Sequence, residues 1–199
     1  MTKGLSTVLV LAAGAALAAG VEGVLDAQVL ATGSGRVLLL SKRGEVVWEH
    51  KADNPHDAWM LPNGNVLYAD GNVFEVTRDH RVVFSYRPEI QEGGGAYACQ
   101  RLANGNTLIS SLDQITEYAA DGREVWEFKK TDLPNAHIQN ITGIHALPNG
   151  NILAGCYSAY TKDGAGTGMF EITREKKLVW RYVSPSLRDK SMMAVQKCT

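Results

Sequence analysis

The chain has 199 residues, of which 45% are hydrophobic and 21% are charged, as in ordinary folded globular proteins. Its formal net charge is −1, so it has neither a basic field that would hold nucleic acid nor an acidic tail. The length fits one large domain or two small ones, and the repeats described below favour one continuous domain.

The first 20 residues differ from the rest of the chain. Lys3 precedes an apolar stretch from Leu5 to Ala19, and Ala16-Leu17-Ala18 offers a small-x-small cleavage site. This pattern is typical of a secretory signal peptide, residues 1–20, and the apolar stretch is short for a membrane span of about 20 residues. We therefore expect a periplasmic or secreted protein without a membrane span after cleavage. The alternative is a retained N-terminal anchor helix.

One short phrase occurs three times in the remaining chain, at Leu61–Asn65, Leu102–Asn106 and Leu147–Asn151. Each copy contains Asn-Gly-Asn and is followed by an apolar run. Asn-Gly between two apolar runs predicts a β-hairpin in which both turn residues adopt positive φ. Copies spaced 41 and 45 residues apart predict an all-β repeat protein.

A second element recurs after each hairpin, an apolar strand that ends in an aromatic residue. These aromatic residues are Trp48, Phe84, Trp126 and Trp180. Nine residues before them stand, in the same order, Leu39, Glu75, Glu117 and Glu171. One unit therefore has four strands, here called a to d, and four-stranded antiparallel units of this period are typical of β-propeller blades. The repeated glutamates indicate either structural hydrogen bonds or a solvated strand face.

The predicted domain covers residues 21–199 and contains four blade units. The first unit, 28–50, has no strand a, and the C-terminal stretch 191–198 aligns with the strand a at residues 97–102. The sequence thus predicts an all-β propeller of about four blades, closed by its C-terminal strand. The other three units are 55–88, 95–130 and 140–184. Irregular strands within 129–146 or 161–168, or blades that relatives have and this chain lacks, are the alternatives.

The combination of L-P-N-G-N-x-L with D-G-x-x-V-W-x-[YF] resembles the bacterial secreted β-propellers called PQQ-like repeat proteins. It is also similar to the propeller of arylsulfotransferases. The resemblance covers roughly residues 28–198 and implies a periplasmic or extracellular propeller. It also implies PQQ as a possible cofactor, although Trp48, Trp126 and Trp180 lack the full tryptophan docking pattern of the quinoproteins. From the arylsulfotransferases it implies a reactive histidine, for which His56 and His145 are the candidates.

Strand a is the innermost strand of a propeller blade, so its side chains border the central channel, where ligands commonly bind. Four quasi-equivalent positions on these strands could form a ring around the axis, namely Trp59, Gln100, His145 and Gln196. Asp57 and His137 lie near them in sequence and complete the set of ligand-binding candidates. The alternative is that these groups satisfy one another and nearby backbone groups.

These patterns favour an exported, non-catalytic propeller that binds a protein or glycan partner as a monomer. The alternative is an enzyme of arylsulfotransferase or lyase type that uses the axial histidines, and a weaker alternative is a PQQ-binding quinoprotein fragment. None of the five histidines has metal-ligand spacing, so the sequence predicts no metal site. Cys99 and Cys156 are expected to be buried free thiols, and Cys198 is the third cysteine.

Overall fold

The computed structural model describes residues 23–87, 95–157, 160–161 and 164–183. The chain folds as an all-β, four-bladed propeller, which confirms the predicted fold class. The helical segments in the described ranges are two single 3-10 turns, Lys130–Asp132 and Pro134–Ala136. No helix in these ranges has the length and apolar character needed to cross a membrane.

Each blade is an antiparallel sheet whose strands pair in chain order. Blade 1 contains β1 (Val29–Gly33), β2 (Arg36–Leu40) and β3 (Val46–Lys51). Blade 2 contains β4 (Asp57–Met60), β5 (Val66–Asp70), β6 (Asn72–Val76) and β7 (Val82–Tyr86). Blade 3 contains β8 (Ala98–Arg101), β9 (Thr107–Ser110), β10 (Gln114–Tyr118) and β11 (Glu124–Lys129). Blade 4 contains β12 (Asn140–Ala146), β13 (Ile152–Tyr157), β16 (Thr167–Ile172) and β17 (Leu178–Val183), with a small hairpin of β14 (Tyr160–Thr161) and β15 (Gly164–Ala165) inserted between β13 and β16.

The strand order places strand a of each complete blade at the centre of the molecule. Strands β4, β8 and β12 lie next to one another, and β1 of blade 1 lies against β4. Blade 1 has three strands among the described residues. The stretch 191–198, predicted to complete it, and the signal peptide predicted for residues 1–20 lie outside the described residues.

The hydrophobic core is divided into three clusters, one between each pair of successive blades. Strand β5 shows how the sequence produces this arrangement. Val66 and Tyr68 pack toward blade 1, whereas Leu67 and Ala69 pack toward blade 3. Successive side chains of a strand point to opposite faces, so a strand between two neighbours is apolar at every position. This explains the uninterrupted apolar runs that follow the Asn-Gly turns.

Seven hairpins in the described ranges share one turn, a three-residue loop closed by two backbone hydrogen bonds. In the first Asn-Gly turn, Gly64 N–H donates to Leu61 O and Leu61 N–H donates to Asn65 O, both at 2.9 Å. Gly64 has φ +81°, while Asn63 is not among the residues with positive φ. The expectation that both turn residues adopt positive φ was therefore wrong. The hairpins form, but as a type I turn followed by one left-handed residue, because the loop has three residues instead of two.

The nine-residue offset noted in the sequence is a direct cross-strand pair. Glu75 pairs with Phe84, Glu117 with Trp126, and Glu171 with Trp180 across the hairpin between strands c and d. Glu75 is 9% exposed and Glu117 is 3% exposed. Glu75 and Glu117 each accept hydrogen bonds from both asparagines of the Asn-Gly-Asn turn in their own blade, and Glu171 accepts one from Asn151. Of the two interpretations left open, the structural hydrogen bond is therefore correct for these side chains.

Successive blades are joined by a contact that we call the inter-blade clasp. The Trp48 indole N–H of blade 1 donates to the Arg78 carbonyl of blade 2 at 3.0 Å, and the Arg78 guanidinium lies 5.2 Å from the Trp48 ring centroid. Trp126 and Arg174 repeat this clasp between blades 3 and 4, at 2.7 Å and 4.2 Å. A cation over an indole ring contributes about 0.5–2 kcal/mol, and the hydrogen bond adds about 1 kcal/mol.

The junction between blades 2 and 3 uses a different clasp. Phe84 takes the place of the tryptophan and has no N–H, and Ala120 stands where the other turns have Arg78 or Arg174. Here Arg101, from strand a of blade 3, lies 4.8 Å from the Phe84 ring centroid and donates to Glu75 at 2.9 Å. Both partners of the clasp differ at this junction, and a cation is still stacked on the aromatic ring.

Candidate functional site

The innermost strands bring side chains of different blades together at the propeller axis. Trp59 belongs to β4 in blade 2, and His145 belongs to β12 in blade 4. Their ring centroids nevertheless lie 6.0 Å apart, with an angle of 28° between the ring planes. The two side chains are each half-buried. The structure thus brings two of the predicted axial residues into one cluster.

Asp57 and Gln100 accept hydrogen bonds from backbone N–H groups at the inner edges of these strands. Asp57 Oδ2 accepts hydrogen bonds from the Cys99 backbone N–H at 3.0 Å and from the Trp59 indole N–H at 3.2 Å. Gln100 Oε1 accepts one from the Ala146 backbone N–H at 2.7 Å. An innermost strand has no further strand to pair with, so its backbone N–H groups need other acceptors. The side chains of neighbouring blades supply them here.

His145 is the axial residue with a free polar atom in the described part of the chain. Its Nδ1 is buried and has no hydrogen-bond partner there. A neutral imidazole has one N–H donor and one acceptor nitrogen, so Nδ1 can serve in either role. No carboxylate in the described ranges is placed to orient this ring through a hydrogen bond. Within the described ranges, His145 therefore has no acid partner of the kind that a general base or nucleophile requires.

His56, the other catalytic candidate, belongs to a different group of contacts. Its Nε2 is 3.2 Å from the Asn54 side-chain nitrogen, and its ring lies 4.7 Å from the Tyr97 ring. In the loop that precedes His56, the backbone N–H groups of Asp53 and Asn54 donate to the Asp70 carboxylate at 2.8 and 2.7 Å. His56 therefore contacts an amide and a phenol ring, and the hydrogen bonds described for it include none to a carboxylate.

The remaining candidates do not join the axial cluster. His137 is exposed, ends the second 3-10 turn with φ 49°, and its carbonyl accepts the Thr167 N–H at 3.2 Å. Gln196 lies outside the described residues. Cys99 and Cys156 are buried free thiols, as the sequence predicts. Burial raises the pKa of both, that of Cys156 to about 12, so neither is a reactive thiolate near neutral pH.

Two histidines that the sequence analysis did not single out face each other between blades 1 and 2. The Nδ1 atoms of His50 and His80 are 3.2 Å apart. Both residues depart from the repeat. The position of His50 holds Tyr86, Phe128 or Tyr182 in the other blades, and the last residue of the turn, His80 here, is glycine in blades 1 and 3. Those departures were the signal available in the sequence, but their contact joins residues 30 positions apart.

Asp57 gives a direct test of the axial hydrogen bonds. Burial raises the pKa of Asp57 above its ordinary value of 3.8, although hydrogen bonds from Cys99, Trp59 and Ala58 oppose the rise. Folding thus favours the protonated acid, and the wild type loses stability as pH rises above 3.8. We expect Asp57→Asn, which keeps the acceptor without the charge, to be more stable than wild type at pH 7, with the difference vanishing on acidification below 3.8.

The matched variant Asp57→Ala removes the acceptor as well. The N–H groups of Cys99 and Trp59 then lose their acceptor. The free energy of unfolding of Asp57→Ala should therefore lie about 1–3 kcal/mol below that of Asp57→Asn. Urea unfolding of the three proteins between pH 3.5 and pH 8 measures both differences. Equal stability of the two variants would show that the hydrogen bonds to Asp57 contribute nothing.

The residues at the axis do not fit the quinone cofactor that the resemblance implied. A calcium ion held with such a quinone takes six to eight oxygen ligands. In the described ranges no group of three or more His, Cys, Asp or Glu side chains is placed to share a metal ion. Asp57, the carboxylate among the axial candidates, already accepts two hydrogen bonds. We derive no function through PQQ.

No family model matches the chain, and no curated protein sequence matches it. Several solved structures are similar. The WD40 β-propeller domain of Doa1 has a TM-score of 0.59 at 16% identity, covering 84% of this chain and 55% of that chain. Virginiamycin B lyase from Staphylococcus aureus has a TM-score of 0.56 at 14% identity, covering 85% and 56%. A protein of unknown function from Bacteroides caccae has a TM-score of 0.54 at 15% identity, covering 81% and 80%.

The chain spans about half the length of the first two of these proteins. At such identities the similarity shows the fold alone, which is that of a β-propeller.

Proposed function

We propose that this protein is an exported, non-catalytic propeller that binds a partner protein through the outer rim of its blades. Export rests on the signal-peptide pattern of residues 1–20. The observation that supports the binding role is a short stretch of apolar side chains that is exposed at the same place in every blade. It consists of the residues that directly follow the turn between strands c and d, which we call the rim residues. They are Val46, Val47, Val82, Val83, Val125, Leu178 and Val179, each 38–55% exposed.

The repetition of the rim residues distinguishes them from scattered surface apolar residues. A single exposed valine needs no explanation, but apolar surface gathered in one region of a molecule marks an interaction site. The strands that carry the rim residues, β3, β7, β11 and β17, are also the outer strands of their sheets. Among the described residues no further strand pairs with their outer edges, so an extended segment of a partner can add there, with its side chains against the adjacent valines.

The axis supports the non-catalytic part of the proposal. The hydrogen bonds of Asp57 and Gln100 go to backbone groups and to Trp59. Two arginines are also engaged, since Arg101, which follows Gln100 in sequence, donates to Glu75, and Arg174 donates to Glu117. In the part of the chain that the structure describes, no histidine has both an acid partner and a converging cation, which a nucleophilic or acid–base site would require.

The test compares a rim variant with an axial variant of the exported protein. The rim variant carries Val47→Asp, Val83→Asp and Val179→Asp, and its matched control carries threonine at the same three positions. Each protein is cross-linked in the cell envelope of its host and the captured proteins are quantified. We expect His145→Ala and the threonine control to retain the wild-type partner, and the aspartate variant to lose it. Loss of the partner in His145→Ala, or no partner specific to the wild type, contradicts the proposal.

An enzyme remains the second candidate, because His145 has a buried nitrogen without a described partner. The similar structures include virginiamycin B lyase, and the sequence pattern resembles the arylsulfotransferases. Turnover of a sulfated phenol donor and of virginiamycin B should be assayed with wild type, His145→Ala and His56→Ala. We expect no turnover that depends on either histidine. Turnover lost in His145→Ala, with the partner binding unaffected, would replace the scaffold with an enzyme.

A further inference from the structure

The His50–His80 pair lies at the junction of blades 1 and 2, away from the axis. The ring centroids are 5.5 Å apart, the ring planes differ by 15°, and the Nδ1 atoms are 3.2 Å apart. The nitrogen separation is shorter than the centroid separation by about two ring radii. The rings therefore meet edge to edge in nearly one plane, with Nδ1 facing Nδ1.

The 3.2 Å contact is that of a hydrogen bond between the two Nδ1 atoms, and the same separation suits two nitrogens of one metal ion once each ring rotates toward it. Zinc–nitrogen bonds of about 2.0–2.1 Å at a tetrahedral angle place two ligand nitrogens about 3.3 Å apart. His80 is exposed, so water can reach the site and fill the remaining coordination positions.

The surroundings hold both rings in place before any ion binds. Trp48 is 7% exposed and lies parallel to both, within 8° of His50 and 7° of His80, at centroid distances of 5.8 and 5.6 Å. The clasp from the Trp48 indole to the Arg78 carbonyl fixes the turn that carries His80. The Arg78 guanidinium lies 5.2 Å from the Trp48 ring centroid, and its positive charge opposes the binding of a cation.

The fold itself does not require this pair. An aromatic residue serves at the position of His50 in the other three blades, and glycine serves at the position of His80 in two of them. His80 adopts φ 67°, a left-handed conformation that glycine adopts without steric cost and that Lys176 also adopts at this position in blade 4. Two departures from the repeat thus meet at one point.

We propose that His50 and His80 together bind one divalent transition-metal ion of the kind that imidazole nitrogen prefers, such as Zn²⁺ or Cu²⁺. Because the two ligands belong to different blades, the bound ion joins blade 1 to blade 2. The site is assembled in space from a strand and a turn, which is why histidine spacing in the sequence did not predict it.

Binding of ZnCl₂ and CuCl₂ to the full chain, by calorimetry and thermal unfolding, tests the proposal. We expect one ion per chain and a saturable rise in Tm, with no effect of MgCl₂. Loss of a residue that only supports a metal ligand lowers metal affinity by about 10–100-fold. His50→Asn and His80→Asn each remove a ligand, so each should weaken metal binding by about tenfold or more. Asparagine tolerates the left-handed conformation, so His80→Asn keeps its turn. His56→Asn is the matched control and should bind as wild type does.

The Cu²⁺ complex provides a second readout, because its EPR spectrum should show coupling to two imidazole nitrogens in the wild type and to fewer in each variant. Two results would overturn the proposal. One is undiminished binding by the double variant His50→Asn/His80→Asn, which would place the ion elsewhere. The other is a wild-type Tm that neither Zn²⁺ nor Cu²⁺ changes.

Discussion

Replacing Glu117 with alanine should lower the free energy of unfolding by about 2–3 kcal/mol, because it removes a buried, charged acceptor from three hydrogen-bond donors. Glu117 is 3% exposed and accepts hydrogen bonds from Asn104 at 3.3 Å and Asn106 at 2.6 Å. It also accepts one from the guanidinium of Arg174, the residue that forms the clasp with Trp126. One substitution therefore removes a turn contact within blade 3 and the charge partner that positions the clasp to blade 4.

The pH dependence separates the charge from the packing. Burial alone would raise the pKa of Glu117, but hydrogen bonds from Asn106, Arg174 and Asn104, with the charge of Arg174, lower it below the ordinary value of 4.5. The carboxylate thus stabilises the fold above pH 4.5, and this contribution is lost as the pH falls through the lowered pKa. Glu117→Gln should be less stable than wild type at pH 7 but lose less stability on acidification.

Glu171→Ala provides the matched control, because Glu171 occupies the same place in blade 4. Its described hydrogen bond comes from the Asn151 side chain at 2.7 Å, and no ion pair is described for it. We expect a loss of about 1 kcal/mol. Urea unfolding at pH 7 and pH 3.5 measures all three variants. If Glu117→Ala and Glu171→Ala lose the same amount, the pairing with Arg174 has no part in stability.

Replacing Phe170 with alanine should lower the free energy of unfolding by about 3–5 kcal/mol, because it leaves a cavity in the largest of the three core clusters. Phe170 and Phe128 are fully buried, and their ring centroids lie 5.7 Å apart at an angle of 42°. Phe128 belongs to blade 3 and Phe170 to blade 4, so the pair joins the two sheets. Neither sheet can close over the space that the ring would leave without moving the other.

Phe84→Ala is the comparison for this cavity, since the half-buried Phe84 lies beside Arg101 at the junction of blades 2 and 3. Its loss should be smaller, about 1.5–3 kcal/mol, because water and the Arg101 side chain can occupy part of the space. Chemical unfolding at pH 7 gives both values. A Phe84 variant as unstable as the Phe170 variant would mean that the cavity at the blade 3–4 junction has no special cost.

The sequence predicted the features of the fold that are local and repeated. The Asn-Gly-Asn phrase located the hairpins, and the nine-residue offset located direct pairs such as Glu75 with Phe84. Turn geometry was mispredicted because two- and three-residue loops share the Asn-Gly signal. The clasp of Trp126 with Arg174 was not predicted, since its partners lie 48 positions apart and the contact depends on how the blades stack.

For the candidate site, the equivalence of strand a positions indicated the axial residues, and the structure brings Trp59 and His145 together. The sequence could not show that Nδ1 of His145 is buried without a described partner, because this depends on the side chains of other blades. Nor could it show that His50 faces His80, because a strand position and a turn position meet there only through the packing of two blades.

The seven matching three-residue turns all lie at one end of the blades, because an antiparallel meander places its a–b and c–d connections on the same side. The other end carries the b–c connections, which differ in length, from the single residue Gly71 to the segment 158–166 that contains the β14–β15 hairpin. The two ends should therefore tolerate engineering differently. A peptide grafted into a b–c connection leaves every turn register intact, whereas one inserted into an Asn-Gly-Asn turn displaces the glutamate carboxylate hydrogen-bonded to it.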